Sequence, residues 1–305
     1  MSKPYPIGTH GQKWHEGDVK NWFAKQNIKR SYQEEVLEKL PKLTSHFELK
    51  QYGALSIDEQ RYPLYVLCSR NWHESKPTVL ITGGVHGYET SGVQGAIRFM
   101  EEEAKHEGGL YCQSFNLIVA PCISPWGYET INRWNPKAID PNRSFYRESP
   151  AEESAALMAF VVSINSEIHL HIDLHETTDT DNSEFRPALA ARDASEHKNW
   201  NIPDGFYLVG DSTKPEAEFQ KAIISGVEKV THIAPADENN QLIGVQLEQV
   251  GVINYSARAL GLCMGLTEAP FVTTTEVYPD SPLVDDENCI QAQVAAITSS
   301  LEYIK

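Results

Sequence analysis

The chain has 305 residues, with 26 Lys and Arg against 42 Asp and Glu, which gives a formal net charge of −16 at pH 7. Phosphate groups are neutralised by clustered basic side chains, so this balance argues against a nucleic-acid partner and against binding to an anionic membrane. Hydrophobic residues make up 41% of the chain, as is usual for a globular protein with a sizeable core.

Cellular location is inferred from what the sequence lacks. No apolar run reaches the roughly 18 residues of a membrane-spanning helix, and the N-terminal residues do not resemble a secretory signal. The five cysteines are scattered without CxxC spacing, which argues against disulfides and against a cysteine-based zinc site. We therefore expect a cytoplasmic protein, and composition leaves its oligomeric state open.

Residues 1–44 are predicted to form an arm and a helix that pack on the body of the protein. Ser31 and Glu34 have the spacing of a capping box, and an apolar stripe follows them before a proline. Residues 47–52 and 62–68 are then predicted as two strands with the spacing of a hairpin or an edge pair.

From residue 77 onward, apolar strands alternate with amphipathic helices. The predicted strands are residues 78–82, 115–120, 168–174, 205–209 and 262–266. The predicted helices are residues 89–105, 150–164, 215–231 and 286–304. The alternation is typical of an α/β fold with a mixed, mostly parallel central sheet and helices on both faces. Ligands bind beyond the carboxyl ends of the strands in such sheets, so those ends hold the first functional candidates.

The first candidates follow the predicted strand 78–82. Two glycines allow a tight turn there, and His86 and Glu89 come next at three-residue spacing, just where a helix is predicted to start. An imidazole and a carboxylate at this spacing can bind one zinc ion. The alternative is a capping glutamate beside a surface histidine.

The strand 168–174 leads to a second candidate. Polar and apolar residues alternate along residues 168–176, so four ionisable side chains share one face of the strand: His169, His171, Asp173 and His175. His175 lies furthest toward the carboxyl end, and we take it as a third metal ligand. His169 and His171 fit better as hydrogen-bonded histidines of the core or of the surroundings of the metal.

Two further clusters lie elsewhere in the chain. Residues 133–145 form a long loop that contains Arg133 and the pair Asn142-Arg143, and a guanidinium there can bind a carboxylate or stabilise an oxyanion. Glu268 follows the predicted strand 262–266, where its carboxylate could take a proton from an activated water.

Along the chain the clusters follow one another as His86 with Glu89, the loop 133–145, His175, and Thr267 with Glu268. In this order they resemble the zinc carboxypeptidase family, and the resemblance extends from about Ser45 to the end. It implies one zinc-hydrolase domain over residues 45–305, with Zn²⁺ as cofactor. The roles that it implies are zinc ligation by His86, Glu89 and His175, orientation of His86 by Asp140, polarisation of the scissile carbonyl by Arg133, binding of the substrate carboxylate by Asn142 and Arg143, and proton transfer by Glu268.

The branch of the family is left open by the spacing. The interval between Glu89 and His175 is short, as in the compact branch that includes murein-peptide amidases, succinylglutamate desuccinylase and aspartoacylase. The ten-residue spacing from Arg133 to Arg143 favours the peptidases of that branch. Arg258 lies where the deacylases carry a further substrate-binding arginine, and this favours an acidic substrate.

The reaction that the resemblance implies is hydrolysis of an amide next to a free carboxylate, in a peptide or a peptide-like substrate. Three protein ligands leave one zinc position for water, whose pKa zinc lowers to about 7. Tyr255 is the candidate for the tyrosine that covers the substrate in this family. The alternatives are an N-acyl amino acid deacylase and a binding protein without activity, although the latter would not require a residue such as Glu268.

Overall fold

An eight-stranded mixed sheet forms the centre of the molecule, whose computed structural model describes residues 5–305. Its strands are β1 (Phe47–Ala54), β2 (Pro63–Ser69), β3 (Thr78–Gly83), β4 (Asn116–Ala120), β5 (Ile168–Glu176), β6 (Tyr207–Asp211), β9 (Val252–Tyr255) and β10 (Phe271–Val277). A separate two-stranded ribbon consists of β7 (Gln241–Leu242) and β8 (Val245–Gln246). The spatial order is β1-β2-β4-β3-β5-β10-β6-β9.

The middle of the sheet is parallel. Strands β4, β3, β5 and β10 pair in parallel, and so do β6 and β9, whereas β1, β2 and β6 join their neighbours β2, β4 and β10 in antiparallel fashion. The predicted mixed, mostly parallel sheet is therefore confirmed. Because β3, β5 and β10 run in the same direction, their carboxyl ends meet at one edge of the sheet.

The helices cover both faces of the sheet. They are α1 (Glu16–Phe23), α2 (Thr90–Ala104), α3 (Pro125–Thr130), α4 (Glu152–Ser163), α5 (Arg186–Asp193), α6 (Ala217–Val227) and α7 (Asp286–Ile304). Alternate residues of a strand enter different cores, so that Val79 and Ile81 pack in the core with α2, α6 and α7, while Leu80 packs in the core with α4. Strands buried on both faces explain the continuous apolar runs of the sequence.

The predicted helix that begins at Ser31 is wrong. Ser31 Oγ does accept the amide N–H of Glu34 at 3.1 Å, but a π-helical turn, Gln33–Leu37, is followed by a 3₁₀-helix, Leu40–Leu43. Pro41 lies in the first turn of this second helix, where its missing N–H costs nothing. The arm before it contributes Trp22, which packs against Trp126 and Trp134.

The predicted strand 262–266 is also wrong, since the segment forms a 3₁₀-helix, Cys263–Gly265. Its apolar side chains are buried in the core with α4. The apolar run in the sequence therefore indicated that the segment is buried, but not that it is a strand. The strand that lies beside β5 is β10, whose three consecutive threonines make a β-branched run with few apolar residues. Among the described residues, no helix is long and apolar enough to cross a membrane.

Candidate active site

The turn after β3 brings His86 to the sheet edge. Gly84 adopts φ +61, a left-handed conformation that other residues rarely adopt, and a Cβ on Gly87 would lie 2.1 Å from the backbone nitrogen of Tyr128. The turn can therefore pack directly against α3. His86 and Glu89 are 2% and 1% exposed, although they lie between a loop and the first turn of α2.

Three side chains that the sequence predicted as ligands converge at this edge. His86 Nδ1 lies 2.8 Å from Glu89 Oε1, and His175 Nδ1 lies 2.6 Å from Glu89 Oε2. Ligand atoms of all three residues fall within 4.8 Å of one another. Glu89 Oε2 is buried and makes no hydrogen bond with any described residue, despite its short distance to His175. Such an arrangement suits atoms that share one ion.

The second nitrogen of each imidazole faces a carboxylate. His86 Nε2 lies 2.9 Å from Asp140 Oδ1, as predicted, and His175 Nε2 lies 2.7 Å from Asp173 Oδ2. With the Nε2 protons directed at these carboxylates, both Nδ1 atoms keep a lone pair for a metal ion. Asp173 was placed on this strand face from the sequence, but its contact with His175 is known only from the fold.

The electrostatics of the cluster favour a cation. Burial would raise the pKa of Glu89, yet the imidazoles of His175 and His86 hold that pKa well below its ordinary value. Burial would lower the pKa of His175, yet Asp173 and Glu89 raise it well above its ordinary value. Three carboxylates surround two imidazoles, so the buried donor set has the negative charge and the N and O atoms that zinc requires.

The loop with Arg133 borders the same site. Arg133 Nε donates to Asp140 Oδ2 at 3.2 Å, and Arg133 Nη1 lies 3.4 Å from Asp181 Oδ1. Asn142 Oδ1 accepts the amide N–H of Cys263 at 2.8 Å. The side-chain nitrogen of Asn142 lies 3.3 Å from His175 Nε2. That imidazole nitrogen carries the proton that it donates to Asp173, so it does not accept a hydrogen bond from Asn142. The side-chain nitrogen of Asn142 therefore keeps its hydrogens for another acceptor.

A cavity of about 910 Å³ opens beside the three ligands. It is lined by the predicted residues His86, Glu89, Arg133, Asp140, Asn142, Arg143 and Tyr255. Arg143 has an exposed side chain, and Tyr255 is partly buried at the end of β9. The structure thus brings most of the predicted substrate-binding residues to one opening.

Glu268 and Arg258 do not reach this cavity. Glu268 is 79% exposed and forms an ion pair with Arg258, whose side chain is 59% exposed and which also lies near the carbonyl of Gly265. A general base must come within hydrogen-bond distance of the proton that it removes, so the expected role of Glu268 is wrong. The expectation that Arg258 contacts the substrate is also wrong, because its guanidinium is paired with Glu268 and does not line the cavity.

Glu276 occupies the position that Glu268 was expected to hold. It is the register partner of His175 on the neighbouring strand β10, and it lines the cavity. Its Oε2 accepts a hydrogen bond of 2.9 Å from Thr177. Burial raises the pKa of Glu276 to about 8, and the charge of Glu89 adds to this effect. A cation bound at the ligands would lower this pKa.

The two remaining histidines of β5 are not ligands of this group. His169 is partly buried and packs edge-on against Phe271, whereas His171 is fully buried and lies 3.1 Å from Thr82 Oγ1. Thr82 in turn donates to Asp173 Oδ1 at 2.6 Å. His171 therefore belongs to a buried polar group behind the ligands, as the sequence favoured.

A buried His-Glu-His group at the carboxyl ends of sheet strands, beside a cavity with arginines, defines a zinc-dependent hydrolase of the carboxypeptidase type. Residues 54–199, slightly less than half of the chain, match the model of the zinc carboxypeptidase family. The matched range contains the three ligands and the arginine loop, and it supports the resemblance for these three of the four clusters, whereas Glu268 lies outside it.

Solved structures support the same fold. A candidate metallopeptidase of Shewanella amazonensis superposes with a TM-score of 0.65 at 17% identity, over 92% of this chain and 98% of its own. A metallo-carboxypeptidase of Burkholderia cenocepacia gives 0.62 at 15%, over 89% and 69%. A metallo-carboxypeptidase of Pseudomonas aeruginosa, in complex with (2-guanidinoethylmercapto)succinic acid, gives 0.60 at 12%, over 89% and 68%. A comparison with curated proteins finds no match.

Proposed function

We propose that this protein removes the C-terminal residue of peptides, with Glu276 as the general base and Arg143 as the anchor for the terminal carboxylate. The observation that carries the proposal is that Glu276 on β10 is the register partner of His175 on β5, and that Glu276 lines the same cavity as the other two ligands, His86 and Glu89. Zinc bound by His86, Glu89 and His175 would lower the pKa of a water molecule and polarise the scissile carbonyl.

Substrate orientation depends on the arginines and on Asn142. Arg143 has no carboxylate within 4.0 Å among the described residues and only donates to the carbonyl of Asn142, so its guanidinium is open to a substrate carboxylate. Asn142 lines the same cavity, and its side-chain nitrogen lies 3.3 Å from His175 Nε2. These contacts select substrates with a free carboxylate and fix the position of the amide to be hydrolysed.

Proton transfer is the role of Glu276. Thr177 donates to Oε2 of this carboxylate, which leaves Oε1 free to take a proton from the attacking water. The same proton then passes to the leaving amine, so that one water is consumed and one acid and one amine are released. Arg133, held by Asp140 and Asp181, stabilises negative charge on the former carbonyl oxygen.

The direct test compares matched substrates on the zinc-loaded protein. We expect release of the last amino acid from N-acetylated tripeptides with a free C-terminus, measured by mass spectrometry. The same tripeptides with a C-terminal amide should remain intact, because Arg143 then lacks its partner. Equal cleavage of both forms would contradict the proposal, and so would turnover confined to N-acyl amino acids.

A further inference from the structure

The cavity contains more positive charge than the reaction requires. The cationic residues that line it are Lys13, Arg133, Lys137, Arg143, Arg186 and Arg192. Three of these have a carboxylate partner: Arg133 pairs with Asp140 at 3.2 Å, Lys137 with Glu152 at 2.5 Å and Arg192 with Asp193 at 2.8 Å. Lys13 has an exposed side chain on the N-terminal arm, where water solvates its charge.

Arg143 and Arg186 differ from the others. Within residues 5–305, neither guanidinium has a carboxylate within 4.0 Å. Arg186 is partly buried and donates through Nη1 to two neutral acceptors, Asn182 Oδ1 at 2.6 Å and the carbonyl of Asn201 at 3.2 Å. In a chain of net charge −16, an arginine that faces a cavity without an acidic partner is unusual and invites an anionic ligand.

The hydrogen bonds of Arg186 also give its guanidinium an orientation. Both contacts use Nη1, so Nε and Nη2 donate to no described residue. These two donors form the edge of the guanidinium that binds both oxygens of a carboxylate. Asn182, one helical turn before Arg186, and Asn201 thus hold the side chain while its binding edge stays free.

The acids of the cavity do not satisfy this arginine. Asp181 binds Arg133 and the hydroxyl of Tyr88, the latter at 3.0 Å. Glu176 accepts the amide N–H of Ser91 at 2.6 Å, in the first turn of α2. Their charges and hydrogen bonds are therefore committed to other groups, and Arg186 remains for a ligand.

Both arginines influence the hydroxyl of Tyr255. Burial and the charge of Glu276 raise the pKa of Tyr255 to about 12, and the positive charges of Arg143 and Arg186 both oppose this rise. Burial and Arg186 also lower the pKa of His197, which lines the cavity too and offers Arg186 no negative charge. Arg143, Arg186 and Tyr255 all line the same cavity, and both arginines are close enough to Tyr255 to influence its hydroxyl.

We propose that Arg186 binds a second carboxylate of the substrate, supplied by an aspartate or glutamate side chain at the last or next-to-last residue, while Arg143 binds the terminal carboxylate. The proposal rests on the carboxypeptidase function given above. Acidic substrates thus remain the expectation, but Arg186 replaces Arg258 as the residue responsible.

The test uses three N-acetylated tripeptides that end in Ala-Leu, Ala-Glu and Glu-Leu. In Arg186→Met, kcat/KM should fall about tenfold or more for one of the two acidic peptides and less than twofold for Ala-Leu, because a charge-assisted contact is lost. The acidic peptide that is affected identifies which residue supplies the carboxylate. Arg186→Lys should recover part of the loss, since it keeps the charge without the planar fork.

Lys137→Met is the matched control, because this cavity cation is already paired with Glu152. This substitution should change kcat/KM for the three peptides equally and by less than twofold. Equal losses for acidic and neutral peptides in Arg186→Met, or no loss for any, would overturn the proposal. The unchanged rate with Ala-Leu shows in the same experiment that the variant is folded.

A binding measurement separates this proposal from the proposed function. In the Glu276→Gln background, calorimetry of the same peptides should show about tenfold weaker binding of the affected acidic peptide upon Arg186→Met. If the zinc-loaded wild-type protein releases no residue from any peptide, the function fails. The calorimetry then decides the role of Arg186 alone, and equal affinities with and without the arginine would exclude it.

Discussion

Two parts of the cavity lining differ in how their charges are compensated. On the ligand wall, His86, Glu89 and His175 are at most 2% exposed, and every imidazole nitrogen lies within 3.0 Å of a carboxylate oxygen. Elsewhere in the cavity lining, Arg143 and Arg186 have only neutral hydrogen-bond acceptors. One part is thus arranged for a cation that stays, and the other for an anionic substrate that comes and goes.

The largest effect is expected from the ligand wall. His175→Ala should reduce the zinc content of the purified protein to near zero and its peptidase activity to background, because two ligands hold zinc far less tightly than three. His169→Ala is the matched control on the same strand, since its side chain packs against Phe271 and away from the ligands. Zinc retained at wild-type content in His175→Ala would contradict the assignment.

The second effect concerns the base. Glu276→Gln should keep its zinc and lose activity by about 100- to 10,000-fold, the usual contribution of acid–base catalysis. Glu268→Gln should change kcat/KM by less than about twofold, since Glu268 is exposed and ion-paired outside the cavity. Measured kcat with zinc content by atomic absorption decides between the two glutamates. Undiminished turnover in Glu276→Gln would remove the proposed base.

These two glutamates also mark the limit of what the sequence predicts. His86 and Glu89 are three residues apart, and the alternation of β5 places His175 at a strand end, so local spacing made these residues candidates and the order of the clusters along the chain made them ligands by resemblance. The base depends on which strand lies beside β5, and that pairing is a tertiary property. The apolar run near Cys263 resembled a strand more than the threonine-rich segment from Phe271 did. The sequence signal that could have identified β10 and its base is the run of β-branched threonines with a glutamate near its end.

Arg186 was beyond sequence reasoning for a similar reason. Nothing in its local sequence distinguishes it from a surface arginine, and only the fold shows that it lies in the cavity without a carboxylate partner. Asp173 is intermediate, because the strand alternation predicted its face while its contact with His175 depends on side-chain orientation.

A smaller effect is expected from the residue that orients His175. Asp173 accepts from His175 Nε2 at 2.7 Å and from Thr82 at 2.6 Å. In Asp173→Asn the dissociation constant for zinc should rise about 10- to 100-fold, as is common when such a hydrogen bond is lost. Competition with a chelator measures it, and activity at saturating zinc should largely recover. Unchanged zinc affinity would show that Asp173 does not position the ligand.

The smallest effect tests what burial does to a carboxylate that lacks a cation. Glu153 is 1% exposed, like Glu89, but its neighbours are the neutral Asn135 at 3.3 Å and Ser124 at 3.5 Å. Burial therefore raises the pKa of Glu153 to about 7. The unfolded chain releases this proton near pH 4.5 and the folded protein only near pH 7, so ionisation of Glu153 lowers stability as the pH rises between these values.

Glu153→Gln cannot ionise and should therefore gain stability relative to the wild-type protein as the pH rises from 5 to 8, by on the order of 2 kcal/mol. Urea unfolding of the zinc-free proteins at both pH values measures the difference, and effects common to both proteins cancel. The neighbouring Glu152 provides a control of opposite sign, because its hydrogen bonds to Lys137 and Ser56 outweigh burial and lower its pKa. Glu152→Gln should therefore be less stable than the wild-type protein by about the same amount at pH 5 and at pH 8, because the carboxyl of Glu152 is ionised at both. An equal stability difference at pH 5 and pH 8 for Glu153→Gln would mean that the buried carboxyl finds compensation that its neutral neighbours do not provide.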